Sequence, residues 1–117
     1  MRLLVCGDRN WSDYGSIVAR IRELAPERVI EGEARGADRL ARTAAYALGI
    51  GVAAFPAQWN TYGRSAGMIR NQQMLDEGKP DMVLAFHDNI LSSKGTADMV
   101  RRAKQAGLPV EIWSHNR

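Results

Sequence analysis

Three short apolar runs in this 117-residue chain each give way to a glycine-bearing polar turn and then a helical pattern: Gly7-Asp8-Arg9, Gly32-Glu33-Ala34-Arg35-Gly36-Ala37-Asp38 and Ser93-Lys94-Gly95-Thr96. An unbroken run such as Leu3-Leu4-Val5-Cys6 is the signature of a strand covered on both faces, as in a parallel sheet. The turns that follow combine glycines, which let the backbone approach a ligand, with helix N-termini and an Arg or Lys. That combination suits phosphate. Three such turns converging on one place point to a nucleotide-like small molecule.

The rest of the chain repeats the alternation. After Gly7, Ser12 or Asp13 can cap a helix with Ile17, Val18, Ile21 and Leu24 at helical spacing, stopped by Pro26. Arg28 to Glu31 reads as the second strand. A helix from Ala37 to Leu48 sets Ala37, Leu40, Ala41, Ala44, Ala45 and Leu48 on one face, with Gly49 as its C-terminal cap. Val52 to Phe55 is a third strand, and Gln58 to Arg64 a polar loop carrying Trp59 and Tyr62. A helix over 65–76 is predicted to bury Met68, Ile69 and Leu75 and to present Arg70 on a separate stripe with Gly63, Gly67 and Met74. Asp81 to Phe86 is the fourth strand and His87 to Gly95 a loop. Thr96 can cap a helix bearing Met99, Val100 and Ala103, and Val110 to Trp113 completes the sheet. The prediction is one α/β domain over residues 1–117: Rossmann-like, three-layered, with a mainly parallel five-stranded sheet and helices on both faces. Ligands of such sheets sit beyond the carboxyl ends of the strands, where strand order reverses. The glycine turns after strands one, two and four lie at that edge.

Composition narrows the function classes. A 45% hydrophobic and 25% charged chain with net charge +3 has the balance of an ordinary globular protein, and its Lys and Arg are scattered. Nucleic-acid binding is therefore a possible but unfavoured partner class. The lone Cys6 rules out an internal disulfide and fits a reducing, cytoplasmic setting. Gly7-Asp8-Arg9 interrupts the apolar N-terminus too early for a signal sequence, and no run approaches the roughly 18 apolar residues that span a bilayer. A soluble, unprocessed protein with no membrane partner is expected.

The candidate site residues differ in what they offer. Gly7, Asp8 and Arg9 join a strand-end glycine to an acid and a base. Gly32 and Gly36 bracket Arg35 at a helix mouth, where Asp38 also suits the helix dipole. Lys94, Gly95 and Thr96 supply a charge, backbone donors and a hydroxyl, and Arg70 with Asn71 can reach a phosphate, a ribose or a glycosidic bond. Trp59 and Tyr62 can stack on a base or cover core or a subunit contact. There is neither a Walker lysine nor a G-x-G-x-x-G spacing, so no P-loop kinase, no standard dehydrogenase and no cofactor is expected. His87 and His115 are too isolated for a metal site, and no G-x-S-x-G elbow supports a serine hydrolase.

The ordered set, extended by Pro56 through Trp59 to Gly63 and by Ala66-Gly67-Met68-Ile69-Arg70-Asn71, resembles the YspA-like branch of the SLOG superfamily over nearly the whole chain. That superfamily includes LOG-type nucleoside-monophosphate phosphoribohydrolases, the DNA-processing protein A fold and proposed sensors of nucleotides. The resemblance implies a Rossmann-like fold, a nucleotide or ADP-ribose- or NAD-derived ligand at the glycine turns, and a homo-oligomer to which Trp59, Tyr62 and Trp113 can contribute. It implies Gly7, Arg9, Gly32, Arg35, Gly36, Gly95 and Thr96 as anion contacts, Arg70 as a clamp, and Asp8 and Asp38 as ribose ligands or partners of the arginines. LOG-type enzymes carry P-G-G-x-G-T-x-x-E. Here Gly95-Thr96 match its G-T, Met99 stands at the glutamate position, and Asp98 is the nearest acid. Asn71 replaces a lysine common in the enzymes, and Glu33 stands where relatives often have glycine. The leading expectation is a ligand-binding or sensor module. The enzymatic alternative is N-glycosidic hydrolysis with Arg70 and Asp98 or Asp8 as the catalytic groups.

Overall fold

The computed structural model describes residues 1–116. Its elements alternate from end to end: β1 (Arg2–Gly7), α1 (Tyr14–Leu24), β2 (Arg28–Glu31), α2 (Ala37–Ala47), β3 (Gly51–Ala54), α3 (Trp59–Tyr62), α4 (Ala66–Gly78), β4 (Met82–Phe86), α5 (Gly95–Gln105) and β5 (Val110–Trp113). The five strands form one sheet in the order β3-β2-β1-β4-β5, and every pairing is parallel. The chain is thus a single Rossmann-like α/β domain. The order reverses between β1 and β4, where Gly7 stands opposite Phe86. A crevice at their carboxyl ends follows from that reversal.

Alternation along β1 builds both halves of the core. Leu3 and Val5 face α1 and α2 with Ile17, Ile21, Val29, Leu84 and Phe86, whereas Leu4 and Cys6 face α4 and α5 with Ile30, Met74, Val83 and Met99. A strand apolar on both faces is what a three-layer sandwich requires. Each fully buried Leu or Ile contributes about 1.5–3 kcal/mol. Ala37, Ala41, Ala44 and Ala45 of α2 are fully buried, and their small size lets α2 settle closely on the sheet beside α1.

Local signals set most boundaries. The Asp13 carboxylate accepts from the Ser16 N–H at 3.1 Å and opens α1, which ends on Ala25 in the left-handed conformation before Pro26. At α5 the expected cap moves. The helix begins at Gly95, and it is the Ser93 hydroxyl, not Thr96, that accepts from a first-turn N–H, that of Thr96, at 3.0 Å. The segment read as a polar loop at 58–64 instead holds the single turn α3 and a 3-10 turn over Gly63–Ser65.

The face of α4 departs from the expected one in part, since Leu75 packs half-buried against the core as expected. Met68 and Ile69 are exposed, and the helix buries Ala66, Arg70, Asn71 and Met74. Here the stripe through Gly67, Arg70 and Met74 points inward, because Arg70 and Asn71 find polar partners beneath it.

Candidate functional site

A cavity of about 560 Å³ lies in the crevice at the ends of β1 and β4. Gly7, Asp8 and Arg9 wall it from β1, Asp38 from α2, Arg70 and Asn71 from α4, and Lys94, Gly95 and Thr96 from the start of α5. Segments far apart in sequence therefore meet at the switch point of the sheet. Gly32 and Arg35 line an adjoining depression of about 420 Å³, which shares Arg9, Ala34, Trp59 and Arg70 with the main cavity. Gly36 lines neither. Its φ of +80° lets the backbone pass against Asp8 and Arg9, and the next N–H, of Ala37, donates to the Asp8 carbonyl at 3.1 Å. Arg35 donates from Nε to the Arg9 carbonyl at 3.2 Å. These two residues staple the loop after β1 to the mouth of α2.

Arg70 is nine-tenths buried and is held on two sides. Its Nη1 donates to the Gly32 carbonyl at 2.6 Å and its Nε to Asn71 Oδ1 at 3.1 Å. Asn71 in turn donates to the Gly95 carbonyl at 3.2 Å and to Asp98 Oδ2 at 3.0 Å. Asp98 closes the chain by accepting from Arg102 Nε at 2.8 Å and Arg101 Nη2 at 2.5 Å. Burial alone would raise the Asp98 carboxyl, but Arg102, Asn71 and Arg101 hold it below the ordinary range. Asp98 is 2% exposed and does not line the cavity. It is a committed ion-pair partner that positions Asn71, and through it Arg70 and the first turn of α5.

Burial shapes the other charges of the crevice. It pushes the Asp38 carboxyl up to about 6 against the pull of Arg70, while the Ala34 N–H donates to Asp38 Oδ2 at 3.2 Å. It lowers Arg70, which Asp38 counteracts, and raises the Cys6 thiol so far that no thiolate forms at neutral pH. Four cations, Arg9, Arg64, Arg70 and Lys94, face two carboxylates, Asp8 and Asp38, across the cavity. The balance favours an anion. Arg9 also lies over the Trp59 ring, 5.7 Å from its centroid, which holds that half-exposed aromatic at the boundary between the two depressions.

Glu33 brings a negative charge to the second glycine turn. Its φ is +58°, the conformation a glycine adopts without strain, and its carboxylate pairs with Arg42 Nη1 at 2.8 Å. The charge is drawn toward α2 and faces only the smaller depression.

Several cavity residues escaped the sequence reading. His87, passed over as isolated, is buried and lines the cavity directly after β4, and Arg64 and Ser92 also contribute. The placement of His87 immediately beyond an apolar strand, in the same position as Asp8 beyond β1, was the available signal. Among the described residues no group of three or more His, Cys, Asp or Glu could hold a metal ion. No helix among them is long and apolar enough to cross a membrane. A larger groove of about 620 Å³ runs along α4 past Tyr62, Ile69 and Gln73 and shares Met68 and Arg70 with the main cavity.

Comparison with known proteins agrees with this frame. A family model described as YAcAr, the YspA, cpYpsA-related SLOG family, matches residues 1–62. The Gene 61 protein of Mycobacterium phage D29 is 33% identical over 119 residues, covering 93% of each chain. DNA processing protein A (DprA) of Streptococcus pneumoniae superposes with a TM-score of 0.76 at 20% identity, over 95% of this chain and 49% of that one. The chain thus spans about half the length of DprA, and at that identity the likeness is one of fold. With the family model and the phage relative both aligned to it, the chain belongs to the YspA, cpYpsA-related SLOG family.

Proposed function

We propose that the protein binds a phosphate-bearing nucleotide or an ADP-ribose-type ligand in the crevice between β1 and β4. One observation carries this reading: Arg9, Arg70, Lys94 and the N-terminal turn of α5 converge on a single cavity at the sheet's switch point. Arg70 Nη2 has no hydrogen-bond partner among the described residues, so it remains available to grip a phosphate whose other oxygens meet Lys94 and the Thr96 hydroxyl. Trp59 offers a face for a base at the rim. Family membership and the shared fold support a nucleotide- or DNA-related role in general.

Binding without turnover is the form that the geometry favours over hydrolysis. Asp98, the acid invoked for glycosidic cleavage, is sealed behind Asn71 and committed to Arg101 and Arg102. Calorimetry with AMP and with ADP-ribose tests the reading. Saturable binding that weakens at least tenfold in Lys94→Ala and in Arg70→Lys is expected, with no free adenine released on incubation. Absence of binding by both ligands overturns the reading, and adenine release abolished by Arg70→Lys replaces it with the hydrolase.

A further inference from the structure

Asp8 and His87 occupy equivalent places, each the first residue beyond the paired ends of β1 and β4. Their main chains are fixed there. The Asp8 N–H donates to the Phe86 carbonyl at 2.9 Å, and the His87 N–H to the Trp113 carbonyl at 3.1 Å. Their side chains then face each other across the cavity floor, His87 Nε2 standing 4.0 Å from Asp8 Oδ2. That distance is too long for a direct hydrogen bond.

The chemistry of each partner is set by what its other atom does. His87 Nδ1 accepts from the Asn89 N–H at 2.9 Å, so the neutral ring carries its proton on Nε2 and offers a donor toward Asp8. Asp8 Oδ1 accepts from the Asn10 N–H at 2.9 Å, which leaves Oδ2 as an acceptor. No other protein group lies within hydrogen-bond distance of Oδ2 or of His87 Nε2 among the described residues. A fixed donor and a fixed anionic acceptor about 4 Å apart complement a group that both accepts and donates. A hydroxyl oxygen at about 2.8 Å from each satisfies both. A phosphate does not, because it would bring its charge against the Asp8 carboxylate, whereas Arg70 and Lys94 offer it cations in the same cavity.

We infer that Asp8 and His87 form a ribose-hydroxyl subsite that makes the crevice selective for ribonucleotides over deoxyribonucleotides. The inference rests on the nucleotide reading above and adds the sugar to it. The roles are divided: Arg70, Lys94 and the start of α5 hold phosphate, and the acid–imidazole pair reads the sugar. Removing the hydroxyl leaves a carboxylate oxygen and an imidazole N–H without partners, which is how a polar site rejects a deoxy analogue.

Titration of the purified full-length chain with AMP, 2′-deoxy-AMP and 3′-deoxy-AMP by calorimetry tests it. AMP is expected to bind roughly ten- to hundredfold more tightly than at least one of the deoxy nucleotides. In His87→Ala and in Asp8→Asn that preference is expected to collapse, with affinity for the discriminated deoxy nucleotide changed less than that for AMP. Equal binding of all three by the wild type overturns the subsite and leaves the nucleotide reading standing. Uniform weakening of all three in both variants marks the pair as structural and also overturns the subsite. Failure of all three to bind overturns the subsite, and the nucleotide reading falls with it when ADP-ribose also fails to bind.

Discussion

The Arg70 guanidinium packs directly against the Cα of Gly32 and donates from Nη1 to the Gly32 carbonyl at 2.6 Å. A methyl group at Gly32 would occupy the space of the guanidinium. Gly32→Ala is therefore predicted to displace Arg70, lower affinity for AMP at least tenfold and cost about 1–3 kcal/mol in stability. Calorimetry and urea unfolding on the same preparation check both effects. Because Gly32 holds the Arg70 guanidinium in place, the affinity loss should match that of Arg70→Lys.

Asn71 is the joint between α4 and α5. Asn71→Asp keeps the oxygen that accepts from Arg70 but removes the donor to Gly95 and places a second carboxylate beside Asp98, now a partner at 3.0 Å. Destabilisation of about 2–4 kcal/mol is predicted. Denaturant unfolding at pH 7 measures it, and Asn71→Ala, without the added charge, should lose less.

Glu31 is fully buried, and its Oε2 is the one buried side-chain polar atom without a hydrogen-bond partner among the described residues. Burial first, and the charge of Asp38 second, push its carboxyl up from 4.5 to about 7. The folded state holds this proton more tightly than the unfolded state, so stability falls as pH rises from about 4.5 to about 7 and stays reduced above that. The full effect is about 3 kcal/mol as an order of magnitude. Glu31→Gln mimics the protonated acid and should lack that decline. It is predicted to be near wild type in stability at pH 5 and more stable by roughly 1–3 kcal/mol at pH 8 in urea unfolding. Asp38 contributes a decline of the same sign in a lower window, which the variant retains.

At the carboxyl edge of the sheet, just beyond β5, His115 stacks on Trp11 and bridges two carboxylates, with Nε2 2.7 Å from Asp13 and Nδ1 2.9 Å from Asp88. Asp13, then Asp88, raise the imidazole above its ordinary value, and His115 in turn lowers both acids. The stabilisation is fully present below about 6.5, the unfolded value, and is lost as pH climbs through the raised folded value. The melting temperature of wild type relative to His115→Ala should therefore fall between pH 6 and pH 9. A parallel shift of both proteins across that range would contradict the bridge.

What could be read from the chain follows physical visibility. The apolar run Leu3 to Cys6 declared a doubly covered strand, and the glycines at 7, 32 and 95 marked turns at the carboxyl edge, so the layers and the location of the crevice were legible. The face of α4 was not. Apolar periodicity favoured Met68 and Ile69, whereas Arg70 and Asn71 are buried because Gly32, Gly95 and Asp98, remote in sequence, satisfy them. The commitment of Asp98 to Arg102 and the approach of His87 to Asp8 are likewise tertiary facts, carried by no local spacing. The turn at Trp59–Tyr62 is too short to show a helical period.

If one crevice gathers these residues around a nucleotide, amide chemical-shift mapping by NMR during an AMP titration, and with ADP-ribose in parallel, registers it. The amides of residues 7–9 and 94–96, the Arg70 side-chain Nε–H and the Trp59 indole are predicted to shift together along one saturating curve. Shifts confined to the outer side of α4 around Ile69 and Gln73, or a spectrum unchanged by millimolar AMP and by millimolar ADP-ribose, would contradict it.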